Sequence, residues 1–432
     1  MAIIYLAVLA TCALFIIAAH VKPAKTGFYL GSGQYGAIIS AISVVAAFTG
    51  GGALINTSML ATKYGKYAFY DVYSAVVGLL ISAILVSIGF FGKKFSENFF
   101  DIKSNQYDKR AVSIHYAQVG FLYSLVIAAQ FRAVTTVATN LQISPSIAVL
   151  VCAITVAIYA FRGFDAVTRT DVLQIVLMLP MYIILASFAC EPQSLSTIDT
   201  LPQQTEMPLP LIMALCLPLI FLPISQELHQ RGAAVPTNRK IIFSYIIAAA
   251  IYSLFGTLVV STFSNNLSLS FSSIISGNNV FVSVAVTIGL LSAILSTLDT
   301  STNIASHAIQ KISLFSRIPP AFSQILLLAL GVVIFLYFKT VLSIILFALF
   351  LYMAGPALTF IGIYGGIHPR FCAIVGTTFC SLQAFFHFKG GKLIEFNLLH
   401  FLPLSDPIQM GLLLLLTQIV VLIVLGIKRK FF

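Results

Sequence analysis

Long apolar runs recur along the whole chain and limit its fold more than any other feature. A helix needs about 20 mainly apolar residues to cross the hydrocarbon core of a bilayer. Runs of about this length lie near 2–21, 35–60, 69–91, 114–139, 144–161, 168–190, 208–230, 240–264, 280–309, 319–338, 341–365, 371–388 and 408–427. Hydrophobic residues make up 59% of the 432, and charged ones only 9%. The chain therefore reads as an all-α polytopic membrane protein with about 13 transmembrane helices. The polar connections are too short to hold a soluble domain. The net charge of +11 might suggest a nucleic-acid partner, but the basic residues lie scattered at segment ends and read as topology signals, so none is expected. The six cysteines form no CxxC pair, which argues against a disulfide or metal framework.

With the N-terminus outside, 18 of the 24 lysines and arginines fall on the inner side, five on the outer, and Arg132 within a span. The inner set includes Lys109, Arg110, Arg231 and the tail Lys428–Arg429–Lys430. The expected topology is N-terminus outside and C-terminus cytoplasmic, in a bacterial inner membrane. The segment 2–21 has no positive stretch before it, and its cleavage as a signal peptide would set every later loop against the charge bias. It reads as a retained helix.

The second segment contains "AAFTGGGALINTS", with Gly50, Gly51 and Gly52 at its centre. Glycine inside a helix costs roughly 1 kcal/mol relative to alanine, and irregular backbone at membrane depth survives only where it lines a cavity or is buried in protein. Two readings follow. The glycines break the helix at a binding site, freeing carbonyl oxygens and half-helix dipole ends, or they allow a close helix–helix contact. The ninth segment contains "LSAILSTLDTSTNIASHAI", in which Ala293, Ser296 and Thr297 share one helical face. Two hydroxyls and a carbonyl there, with the backbone oxygens of Ala46 and Thr49 at the break, make five neutral oxygens suited to Na+. Taken alone, the hydroxyls are better explained by bonds to their own helix carbonyls.

Four stretches together resemble the sodium:solute symporter family, whose members include proline, pantothenate and sugar transporters. "FRGFDAVTRTDVLQIVLMLP" is similar to that family's GGxxAVxxTDxxQ segment at Gly163, Ala166, Val167, Thr170, Asp171 and Gln174, and departs from it at Arg162 and Arg169. "SAILSTLDTS" is similar to its sodium-binding helix, "AAQFRAVTTVATNLQISP" to its AQ helix, and "QELHQRGAA" to its QR segment. The resemblance runs from Gly36 to about Pro369. It implies two five-helix inverted repeats of the leucine-transporter type, each opening with a broken helix. The expected division is 1–34 peripheral helix and inner loop, 35–190 first repeat, 191–207 outer loop, 208–370 second repeat and 371–432 peripheral helices. Pro218 and Pro223 mark the second break. The resemblance also places sodium among Ala46, Thr49, Ala293, Ser296 and Thr297.

Ionisable residues within spans are candidate functional sites. Asp171 and Asp299 are expected to line an ion exit path. Asp171 also reads as a helix-start cap, and Asp299 as a structural partner of Arg132. Glu227 and Arg231, spaced i, i+4, are expected to pair, and His229 reads as a satisfied structural histidine. Groups expected to face a solute are Gly50, Gly51, Gly52, Asn56, Gln130, Ser225 and Gln226. The leading function is a sodium-coupled symporter of a small polar organic solute, with Na+ as the coupling ion. The alternatives are proton coupling and a non-transporting sensor on the same fold. No cluster with metal or nucleophile spacing suggests an enzyme. Nothing in the residues fixes the oligomeric state.

Overall fold

The structure is a computed structural model that describes residues 2–20, 28–30, 35–89, 100–102, 107–159, 162–190, 206–266, 269–277, 279–338, 340–365 and 368–388. The thirteenth predicted segment, 408–427, the basic tail and most of the 191–207 loop lie outside the described residues. The helices are α1 (Ala2–Ala18), α2 (Ala37–Phe48), α3 (Gly51–Tyr64), α4 (Phe69–Ser87), α5 (Lys109–Asn140), α6 (Pro145–Tyr159), α7 (Phe164–Cys190), α8 (Leu209–Leu215) and α9 (Pro218–Phe221). They continue as α10 (Gln226–Ala233), α11 (Asn238–Asn265), α12 (Phe271–Ile275), α13 (Val280–Gln310), α14 (Pro320–Tyr337), α15 (Val341–Tyr352), α16 (Leu358–Gly365) and α17 (Pro369–Phe388). The described residues contain no strand, and eight of their helical stretches are long and apolar enough to cross a membrane. Large apolar side chains such as Leu9, Ile84, Ile183 and Phe281 stand exposed on the outside of the bundle, as lipid contact requires.

Two predicted segments are discontinuous. The second is α2 followed by α3. The last N–H of α2 to reach back is that of Thr49, to Val45 O at 2.8 Å, and the first of α3 runs from Leu54 N to Gly50 O at 3.0 Å. Gly50 is extended between them, with φ −62° and ψ 154°. The seventh segment is α8, α9, a 3₁₀ turn at Leu222–Ile224 and α10, with Ser225 extended at φ −75° and ψ 137°. Pro218 and Pro223 lie within this interrupted stretch. Freed backbone there is satisfied locally: His229 Nε2–H donates to Pro223 O at 2.7 Å, and the Tyr352 hydroxyl to Ile224 O at 2.5 Å.

Other boundaries moved for identifiable reasons. α5 begins five residues before its predicted segment because Asp108 caps it, accepting from Arg110 N at 3.0 Å and Ala111 N at 3.2 Å. α7 begins at Phe164, so Asp171 lies in its second turn and is no helix-start cap. α13 is the axis of the bundle, packed against α1, α2, α3, α5, α7 and α14. From Gly289 to Ala308 every one of its residues is buried, including Ser292, Ser296, Thr297, Asp299, Asn303 and Ser306. A helix this polar and this buried must find its partners on neighbouring helices.

The three glycines sit against that axis. A Cβ on Gly50 would stand 2.5 Å from Thr297 Oγ1, one on Gly51 would overlap Ile294 Cγ1, and one on Gly52 would lie 3.1 Å from Gln130 Nε2. None has a left-handed φ, so the sequence needs glycine here for space. The chain breaks at Thr49–Gly50, and α3 then packs closely on α13.

Candidate functional site

The break leaves the carbonyls of Ala46 and Thr49 without helical partners, and a side chain from α7 takes them up. Gln174 Nε2 lies 3.3 Å from Ala46 O, 3.4 Å from Thr49 O and 3.5 Å from Thr49 Oγ1, while its own Oε1 has no hydrogen-bond partner. On the facing helix, Thr297 Oγ1 donates to Ala293 O at 2.9 Å, and Ser296 Oγ donates to Asp171 Oδ1 at 2.5 Å. Thr297 also abuts Gly50. The five predicted ion-binding residues are thus gathered around one break, each engaged by an internal partner. Gln174, singled out in the sequence only as part of the TD segment, is the donor that bridges the two carbonyls.

Directly beside them lies a charge cluster closed to solvent. Arg231 Nη2 forms an ion pair with Asp171 Oδ2 at 2.9 Å and donates to Thr300 Oγ1 at 3.0 Å. Its Nε reaches Ser43 O at 2.8 Å and Ser43 Oγ at 2.9 Å, and its Nη1 reaches the backbone oxygen of Glu227 at 3.3 Å. The Ser43 hydroxyl donates to Asp171 as well. Arg231 is 1% exposed and Asp171 0%. The expected side-chain pair between Glu227 and Arg231 does not form, because the guanidinium is turned to α7. Arg231 is also no topology signal; its helix, α10, carries it into the core. The i, i+4 spacing was real, but a tertiary partner outcompeted it.

Asp299 is one turn further along α13. Its Oδ2 accepts from Thr170 Oγ1 at 2.6 Å, and its Oδ1 has no hydrogen-bond partner. The predicted Asp299–Arg132 pair is absent. Arg132 instead caps the end of α14, donating to Phe335 O at 2.9 Å and to Phe338 O, with its guanidinium over the Phe335 ring. This is the favourable placement of a cation at a helix C-terminus. Further along α13 the Tyr29 hydroxyl bonds Ser306 at 2.9 Å, and the Tyr29 carbonyl accepts from Gln230 Nε2 at 2.7 Å. Gln230 Nε2 is also 2.6 Å from Asn303 Oδ1.

On the other side of the break is a cavity of about 190 Å³ between α2, α3, α5, α10, α13 and α15. Phe48, Leu122, Val126, Phe221, Ile344 and Leu349 give it apolar walls. Its polar lining comes from Tyr123, Gln130, Ser225, Glu227, Thr297 and Tyr352. Of the predicted solute-facing residues, Gly50, Gln130 and Ser225 line it. Gly51 and Gly52 are turned to Ile294 and Gln130, and Asn56 and Gln226 are buried outside the lining. Gln130 Oε1 accepts from Gly52 N at 3.0 Å, which ties the cavity wall to the break. A larger crevice of about 370 Å³ separates α1 from α5, α6 and α13, but its lining is almost wholly apolar and does not suit a polar solute.

Two broken helices beside a buried axis, with a small cavity at the first break, define a transporter fold of the leucine-transporter type. No protein-family model and no curated protein sequence matches the chain. Among solved structures it is similar to a Na+-coupled sialic acid symporter in its substrate-bound outward-open state (TM-score 0.60, 14% identity, 88% of this chain and 97% of that one). It is similar also to the Eremococcus coleocola manganese transporter, solved with an aromatic bis-isothiourea compound (TM-score 0.60, 13% identity, 96% of this chain and 98% of that one). At this identity the likeness speaks for the fold alone. The chain shares its fold with these two transporters, and eight helical stretches of its described residues are long and apolar enough to cross a membrane.

Proposed function

We propose that the chain is a sodium-coupled secondary transporter of a small polar organic solute, working by alternating access as in the sodium:solute symporter family. The observation that carries this is the pair of carbonyls freed at Ala46 and Thr49, held by one neutral donor beside the hydroxyls of α13. An amide N–H and a cation make the same demand on a carbonyl oxygen. In this reading Na+ takes the place of the Gln174 amide, Thr297 turns its hydroxyl oxygen from Ala293 O to the ion, and Ser296 and Ala293 O complete the site. The ion then pins the break to α13 and favours the state open to the solute. The solute occupies the adjoining cavity. Asp171 and Asp299 form the release path towards the Tyr29 end, which we assign to the cytoplasm. Residues 35–190 and 208–370 are the two inverted repeats, with 1–34 and 371–432 peripheral.

Gln174→Leu tests this placement. The amide must leave both carbonyls before sodium binds, and its loss leaves two buried acceptors unpaired in the ion-free state. An unsatisfied buried group costs about 1–3 kcal/mol, so apparent sodium affinity should rise by about five-fold or more. The measurement is the NaCl concentration that half-maximally raises the unfolding temperature of the purified protein, with choline chloride as control. Weaker sodium affinity in Gln174→Leu would mean that Gln174 is a ligand and not a competitor.

A second reading, proton coupling, is favoured by Glu227, an acid in the cavity lining whose guanidinium neighbour Arg231 is paired instead with Asp171. It predicts uptake driven by a pH gradient without sodium. A divalent-metal cargo has less support: among the described residues no three His, Cys, Asp or Glu side chains come together.

A further inference from the structure

Three acids, Asp171, Glu227 and Asp299, lie buried around the break, with Arg231 as the cation beside them. The guanidinium is committed to Asp171, Ser43 and Thr300, and reaches Glu227 only at its backbone oxygen. Asp299 faces Thr170 and lies off the cavity. Glu227 is different. It is 8% exposed and lines the 190 Å³ cavity, and no lysine, arginine or histidine is among the described residues that line that cavity. Tyr123, Ser225 and Tyr352 line the same cavity with their hydroxyls on other duties. The Tyr123 hydroxyl accepts from Glu227 N at 3.2 Å, Ser225 caps α10, and the Tyr352 hydroxyl is spent on Ile224 O. A carboxylate removed from water needs a compensating charge, or the cost is large. Here the adjoining space is the cavity, whose remaining lining is apolar apart from Gln130 and Thr297.

We infer that the transported solute carries a cationic nitrogen, an ammonium or amidinium on a compact apolar body, and that Glu227 binds it. This rests on the reading of the cavity as the solute site and narrows the solute to an organic cation. The ammonium would sit at Glu227 with Ser225 beside it, and the apolar body would lie against Phe48, Phe221 and Ile344. A neutral or anionic solute of the same shape would leave the carboxylate unpaired or repelled, so the site selects by charge.

The test uses purified full-length protein and matched probes: isoamylamine, isoamyl alcohol and isovalerate, with benzylamine and benzyl alcohol as a second set. Unfolding is followed by the loss of soluble monomer on heating, read by size-exclusion chromatography, because the exposed Cys190 would react with a thiol dye in the folded state. The amines should raise the unfolding temperature in a saturable way, and the alcohols and isovalerate should not. In Glu227→Gln the amine affinity should fall at least ten-fold, and Glu227→Asp should recover part of it. Ala348→Phe, which fills the cavity from the opposite wall, should abolish the amine effect. Equal stabilisation by amine and alcohol, no stabilisation by either amine, or unchanged amine affinity in Glu227→Gln would overturn the assignment. Ala348→Phe separates the two levels. If a neutral or anionic probe binds and Ala348→Phe removes it, the cavity stands and only the cationic class fails. If Ala348→Phe leaves the bound probe unaffected, the cavity reading itself fails.

Discussion

Asp171→Asn is expected to cost about 3–5 kcal/mol of stability, the usual penalty for leaving one partner of a buried ion pair without the other. Among the described residues Arg231 is the most voluminous fully buried side chain, and it forms its ion pair with the Asp171 carboxylate 2.9 Å away. An asparagine keeps the shape but offers no charge, and its NH₂ group faces the guanidinium or Ser296 with a donor where an acceptor is needed. Combining Asp171→Asn with Arg231→Met removes the stranded charge and should recover much of the loss. The two positions should therefore be strongly non-additive in a double-mutant cycle of chemical denaturation. Transport should not recover with stability. Asp171 touches Ser296 but does not line the cavity, so turnover should stay slow in the double variant while solute affinity is nearly preserved. Additive losses at the two positions, or lost solute affinity at a normal rate, would contradict this arrangement.

The fate of this pair shows what the sequence could and could not express. The helices were legible because hydrocarbon demands long apolar runs, and both breaks were legible because Gly50–Gly52 and Pro218 with Pro223 violate those runs. Asp171 and Asp299 stood out as charges in apolar surroundings. Their partners did not, because Arg231 is four residues from Glu227 but 60 from Asp171, and only the tertiary packing of α2 against both α7 and α10 decides between them. Arg132 likewise found a helix end, an arrangement of backbone carbonyls that leaves no mark in residue type. Gln174 was visible as a motif residue, yet its role depends on where the freed carbonyls point. Glu227 became distinctive only after Arg231 proved to be committed elsewhere.

Gly51→Leu is expected to be the most damaging of the single glycine replacements. Its Cβ alone would overlap Ile294 Cγ1 and come within 3.2 Å of Leu290 O, a backbone atom that cannot move aside. Overpacking a tight contact costs about 1–3 kcal/mol for small insertions, and leucine adds three further carbons beyond Cβ. The helix α3 must then tilt away from α13, carrying Gly50 from Thr297 and opening the carbonyl pair. The expected outcome is a sharp fall in unfolding temperature and in surface expression, with no transport. Gly51→Ala is the gentler probe. Paired with Ile294→Ala, which removes the overlapping atom, it should regain stability relative to Gly51→Ala alone. If Gly51→Leu is tolerated with normal stability, α3 does not lie against α13 as described.

The central claim is that a sodium ion is held between the break in the second segment and the hydroxyl face of α13. The most direct measurement is equilibrium binding of radioactive sodium to the purified protein, compared between the natural chain and Ser296→Ala/Thr297→Ala. Neither hydroxyl belongs to the glycine contact with Ile294, and both substitutions are small. The account predicts saturable sodium binding in the natural chain, weaker binding when either hydroxyl is lost, since four of five oxygens remain, and near-complete loss when both are removed. Normal sodium binding in the double variant, or none in the natural chain, would contradict it. The glycine run would then stand as a packing device alone, and the Gln174 bridge as its permanent seal.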